Sequence, residues 1–312
     1  MILTEGQYIL GIDLGGTNIR MGLVDREYQL SHFQMFNCSE VLAKEPMASL
    51  QKAIVDYVRR FDVMHKVTAI SLGVPAVVNK NHSYVYSAPN VYGLDELDLG
   101  LEMENALGLP VFVDRDVNFI LTHDIQTLHL DPHSDKTILG LYLGTGFGNS
   151  LYINGRIHLG AHGSAGELGH IPLYGVDMKC PCGQVGCVES LISGRALVNL
   201  ANTELGGCDI SQVFTRFGSH PRVIRFVKDI AIPAATEVTL LDPDYVILGG
   251  GVLAMEGFPI QMLMDEIRTR SRHPFPAEDL HFILAQGDQH AGVMGGAMLV
   301  MDYLKQGKSF RS

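Results

Sequence analysis

No run of lysine or arginine occurs in this chain, and its formal net charge is −11. The electrostatic footprint of a nucleic-acid-binding protein is missing, so no nucleic-acid partner is expected. No apolar stretch approaches membrane-spanning length, and Met1 to Tyr8 is too short and too polar for a signal peptide. A cytoplasmic protein with no membrane partner is the expectation. Low-complexity segments and long linkers are also absent. Cysteines number five in 312 residues and are not spaced as a disulfide framework. Hydrophobic residues at 46% and charged residues at 18% suit a globular protein, and the length allows two domains, each with its own core. The acidic balance still permits an anionic ligand, because backbone N–H groups and a metal ion can hold phosphates.

Three of the five cysteines fall within eight residues, in the pattern His170-x9-Cys180-x-Cys182-x4-Cys187. Three thiolates and one imidazole complete a tetrahedral zinc shell with no open position. Such a site is structural: Zn2+ would hold a loop rather than perform chemistry. Gly166-Glu167-Leu168-Gly169 precedes the cluster and Glu189 follows it. The other two thiols, Cys38 and Cys208, read as small buried or semi-buried side chains.

An internal repeat is present. Ile9-Leu10-Gly11-Ile12-Asp13-Leu14-Gly15-Gly16-Thr17 matches Ile138-Leu139-Gly140-Leu141-Tyr142-Leu143-Gly144-Thr145-Gly146. In each copy a buried-strand run breaks into a glycine turn and resumes as strand, at Ile19 to Val24 and at Ser150 to Ile153. A dinucleotide fingerprint requires a helix after the glycines, and a P-loop requires Gly-x-x-x-x-Gly-Lys-Ser/Thr; neither occurs. Two β-hairpins with bare turns remain, and bare backbone can approach phosphate closely.

Elsewhere the spacing predicts helices over 46–61, 97–107, 118–128, 222–241 and 292–304, with a kink or break at Pro233. Strands are predicted over 68–74, 111–113, 245–248 and 282–285. Alternating strands and helices indicate an α/β class.

Taken together, these motifs resemble the ROK family of bacterial sugar kinases and repressors. Asp13-Leu14-Gly15-Gly16-Thr17 is similar to the first phosphate loop of the actin/hexokinase/Hsp70 fold, and Leu143-Gly144-Thr145-Gly146 to the second. Asp242-Pro243-Asp244 leading into Gly249-Gly250-Gly251 resembles the adenosine loop. The histidine–cysteine cluster with Glu167 and Glu189 is the most specific element. The resemblance spans essentially the whole chain. It implies a two-lobed, ribonuclease H-like fold with a duplicated βββαβα-type core and a cleft between lobes. Residues 1–118 would form the N-terminal lobe, 119–293 the C-terminal lobe, and 294–312 a helix returning to the first. It also implies ATP with Mg2+ as cofactor, a hexose as substrate and a homodimer.

Residue roles follow from the same resemblance. Asp116 would be the base that deprotonates the 6-hydroxyl, with an N-cap as its plain alternative. Asp13 would orient Mg2+ through water. Gly15, Gly16, Thr17, Gly144, Thr145 and Gly146 would contact phosphates, and Gly249, Gly250 and Gly251 the nucleoside. Asn90, Arg115, Glu167, His170 and Glu189 would line the sugar. Three departures from the common pattern, Gly73-Val74-Pro75-Ala76, Arg115-Asp116 and Gly160-Ala161-His162-Gly163, resemble the subgroup that phosphorylates D-allose. Other hexoses remain the alternative, and a non-catalytic sugar-binding regulator a lesser one. A repressor would need a helix-turn-helix before the first loop, and twelve residues precede Asp13.

Overall fold

The computed structural model describes residues 3–42, 45–130 and 135–307. The chain divides into two compact units. One takes in Met1–Pro132, Leu159–Ala165 and Asp288–Ser312, and the other His133–His158 and Gly166–Gly287.

The first unit is built on β1 (Tyr8–Leu14), β2 (Asn18–Val24), β3 (Leu30–Asn37) and β4 (Val67–Val74), with a small sheet of β5 (Val77–Val78), β6 (Tyr84–Ser87) and β7 (Leu97–Asp98), and then β8 (Val111–Arg115). Its main sheet runs β3-β2-β1-β4-β8. The hairpin β1–β2 is antiparallel, whereas β1–β4 and β4–β8 are parallel. Ile9, Leu10, Ile12 and Leu14 are fully buried, as expected of an interior strand covered on both faces.

The second unit repeats this plan with β9 (Ile138–Leu143), β10 (Phe147–Ile153), β11 (Arg156–Ile157), β12 (Tyr245–Gly249) and β13 (Phe282–Leu284). Its order, β11-β10-β9-β12-β13, has the same antiparallel hairpin followed by two parallel neighbours. The sequence repeat is thus a repeat of topology.

Several boundaries differ from the spacing-based expectation. The helix expected from residue 97 begins at Leu99, because Leu97 and Asp98 pair with β6 and the Asp98 carboxylate accepts from Leu101 N–H at 3.1 Å. The helix expected from 118 begins at Asp116, so its first turn includes that carboxylate. Pro221–Leu241 continues through Pro233 as one helix, with no break.

The division of the chain also departs from a boundary after residue 118. Helix Asp116–Thr127 packs on the C-terminal helix Ala291–Lys305, which also rests on β1 and β4. Glycines in that helix allow the approach: a Cβ on Gly296 would stand 2.7 Å from the Phe119 ring. Of the expected returning segment 294–312, residues 308–312 lie outside the described residues.

Candidate functional site

In the first unit the β1–β2 turn is closed by Gly15 N–H donating to Asn18 C=O at 2.9 Å. Gly16 and Thr17 are exposed. Asp13, near the end of β1, is buried and lies 3.0 Å from the Arg20 guanidinium. Burial pushes its carboxyl up, and Arg20 partly opposes this. Gly292 of the C-terminal helix passes under Asp13; a Cβ there would stand 2.6 Å from Asp13 Cγ.

Asp116 is half-buried at the first position of its helix, directly after β8. Arg115, not Asp116, holds the N-cap position and makes no capping bond with its side chain. One Asp116 oxygen accepts from Val117 N–H at 2.8 Å. The helix N-terminus favours its negative charge. Arg115 is buried, and its guanidinium donates to Ala165 C=O. It is therefore not a surface arginine. Asn90 is exposed in the turn after β6.

The second unit holds the other expected residues. The β9–β10 turn is closed by Gly144 N–H donating to Gly146 C=O at 3.0 Å. Helix Gly194–Glu204 starts against this turn, with Gly194 N–H donating to Gly144 C=O at 2.9 Å and Arg195 N–H to Thr145 C=O at 3.2 Å. Glu189 is buried, and one oxygen accepts from Phe147 N–H at 2.8 Å. Its other oxygen lies 2.8 Å from the Arg195 guanidinium. Glu189 thus ties the zinc-type loop to the second glycine turn. Gly194 and Arg195 escaped the sequence reading, because no local pattern marks a residue whose partner is a distant turn.

The glycines separate into two kinds. A Cβ on Gly16, Gly144 or Gly251 would meet nothing within 4 Å. Packing does not require glycine there, and the open space suits an approaching ligand. By contrast, a Cβ on Gly146 would lie 2.5 Å from the Glu189 carboxylate, and one on Gly249 would lie 2.8 Å from the Ala285 side chain. Gly250 has φ of +99° and abuts the Leu143 backbone. These three satisfy the protein's own packing. Asp244 sits at the opposite end of β12 from Gly249, where its carboxylate accepts from Thr137 N–H and pairs with Lys136, both at 2.9 Å.

His170, Cys180, Cys182 and Cys187 converge, with all four ligand atoms within 4.8 Å of one another. Cys180 Sγ is 3.7 Å from His170 Nδ1, and Cys182 Sγ is 3.6 Å from Cys187 Sγ. Tetrahedral zinc with bonds of about 2.3 Å places neighbouring sulfurs about 3.8 Å apart, so the donor set fits that ion. Burial and the adjoining thiols push Cys187 up to about 12. His170 Nε2 faces Glu167 at 3.7 Å. That separation is longer than a hydrogen bond, and Nδ1 is the ring nitrogen turned toward the thiols.

The ROK family model matches residues 9–303. A glucokinase of Streptomyces coelicolor is 29% identical, over 94% of this chain and 97% of its own length. An N-acetyl-D-glucosamine kinase of Haemophilus influenzae is 30% identical, over 78% of this chain and 83% of its own. Among solved structures, a ROK family glucokinase from Streptomyces griseus in complex with glucose and AMPPNP superposes with a TM-score of 0.76 at 25% identity, covering 94% of this chain and 98% of that one. Among the described residues, no helix is long and apolar enough to cross a membrane.

Proposed function

This chain belongs to the ROK family, and we propose that, as an ATP-dependent sugar kinase, it transfers the γ-phosphoryl of ATP to the 6-hydroxyl of D-allose. The observation that carries the kinase reading is the glycine turn repeated at matched places in two sheets of the same order, with open space at Gly16 and Gly144.

In this reading the sugar O6–H loses its proton to Asp116 as O6 bonds to the γ-phosphorus, and the bond from that phosphorus to the bridging oxygen of ADP breaks. Phosphoryl transfer asks mainly for positioning and charge neutralisation, which backbone N–H groups of the two turns provide. Mg2+, when bound, would neutralise phosphate charge, and Asp13 is the carboxylate that would hold it beside the first turn. Thr17 and Thr145 offer hydroxyls beside the same turns, and Gly15 and Gly146 shape them. Gly251 leaves the nucleoside room, while Gly249 and Gly250 let β12 pack closely enough to present it.

Asn90, Glu167, His170 and Glu189 bind sugar hydroxyls. Glu189 does so with lone pairs left over from Phe147 and Arg195, since an ionised carboxylate has about four acceptor sites. Zn2+ in the four-residue cluster holds the loop from Glu167 to Glu189 in place.

The three sequence departures support D-allose through their resemblance to that subgroup, and they lie near one another, with Val74 beside Arg115 in the sheet. Arg115 donates to Ala165 C=O, at the end of the segment containing Gly160 to Gly163. Gly163 in turn packs against Val78 and Asn79, just beyond Ala76. The relatives named above support glucose or an N-acetylhexosamine as the second reading. ADP release with ATP and a panel of D-allose, glucose, mannose, fructose and N-acetyl sugars tests both. Highest kcat/KM on D-allose upholds the first; highest on another sugar overturns the allose assignment and leaves the kinase.

A further inference from the structure

His82 lies in the turn between β5 and β6, at φ of +55° and almost wholly buried. Its ring stacks on Phe112 with centroids 4.0 Å apart and meets Tyr303 edge-on at 5.5 Å. Nε2 is 3.1 Å from the Tyr303 hydroxyl, on the C-terminal helix. Nδ1 is 3.3 Å from Asp114 Oδ2. The pair falls short of hydrogen-bond geometry, and neither atom makes a hydrogen bond to any other of the described residues. Two buried polar groups are thus left to each other, and separating them is costly. The other oxygen of Asp114 accepts from Arg115 N–H at 2.7 Å and from the Asn118 amide at 2.8 Å. Asp114 therefore clasps the residues on both sides of Asp116.

We propose that His82 is a positioning residue for phosphoryl transfer. Through Asp114 it fixes the junction of β8 and the following helix, so that the Asp116 carboxylate stands in one orientation, and Tyr303 holds the imidazole in register. The inference rests on Asp116 being the base. A misplacement of about 1 Å at a reacting group can cost roughly a hundredfold in rate.

The test compares two substitutions that tolerate a positive φ and lose the same ring. His82→Asn keeps an amide donor near the Nδ1 position, and His82→Gly does not. With matched circular dichroism, His82→Gly should lose about tenfold to a hundredfold in kcat, with KM for ATP and sugar moving less than about threefold, and His82→Asn should recover most of the loss. Equal kcat in the two variants, or a loss carried by KM, overturns the proposal. If His82→Gly does not fold, Tyr303→Phe decides: lowered kcat at unchanged KM supports the role, and unchanged kcat overturns it. Asp116→Asn is assayed alongside. An active Asp116→Asn enzyme defeats the base assignment itself, whereas an inactive one beside equal His82 variants defeats only this inference.

Discussion

The Glu189 carboxylate receives the Phe147 backbone N–H at 2.8 Å, so the residue that follows the cysteine cluster also braces the second glycine turn. The loop with a metal donor set and the loop expected to hold phosphate are one mechanical unit. Arg195 completes it by pairing with Glu189 and donating its N–H to Thr145 C=O.

That coupling shapes the metal prediction. Freshly purified protein should contain about one zinc per chain, as the four-donor shell requires. Cys182→Ser, or chelation, should lower sugar affinity before it unfolds the protein, and should also raise KM for ATP through the Glu189–Phe147 contact. Metal analysis, sugar titration and thermal melts check this; protein free of zinc with full affinity would refute it.

Glycine substitutions should divide by cause. Gly144→Ala adds a methyl where nothing stands within 4 Å, so melting should be unchanged while KM for ATP rises about tenfold, the loss of roughly one hydrogen bond. Gly250→Ala, at φ of +99°, should instead lower the melting temperature. Melting curves and ATP titrations on both variants separate a ligand-facing glycine from a structural one.

Asp116→Asn should reduce kcat by about a hundredfold to ten-thousandfold, the range lost with a general base, while sugar binding stays measurable. A near-normal kcat would place the base elsewhere.

Arg115→Asn should shift the kcat/KM ratio of D-allose to glucose toward glucose by about tenfold, since a buried unpaired polar group costs about 1–3 kcal/mol. The substitution also frees Ala165 C=O from its guanidinium partner. An unmoved ratio rejects Arg115 as a selector of the sugar.

Glu237 is buried in helix Pro221–Leu241 and accepts from the Asn149 amide at 2.9 Å. Burial raises its carboxyl to about 8, and the Asn149 bond only partly opposes this. The unfolded chain ionises this group near 4.5, so its contribution to stability is full below that pH and is lost as pH rises toward 8. The slope is about 1.4 kcal/mol per pH unit at most. Glu237→Gln should gain on the wild type by a few degrees in melting temperature between pH 5 and pH 9. A constant difference across that range would contradict the assignment.

Local chemistry in the sequence determined the two glycine hairpins, the four-residue cluster and the placement of Asp116 after a strand. An apolar run, a glycine turn and a cysteine spacing act within a few residues, so they are legible without the fold. Helix starts were less so, because Leu97 and Asp98 pair with a strand that only the folded chain brings near. Tertiary structure alone decided which glycines serve packing, that Arg115 is buried, and that Glu189 spends its oxygens on Phe147 and Arg195. It also joined His82 to Tyr303 across 221 residues. Contacts of that kind depend on which faces of sheet and helix come together, and the periodicity of a segment says which face is apolar, not what will lie against it.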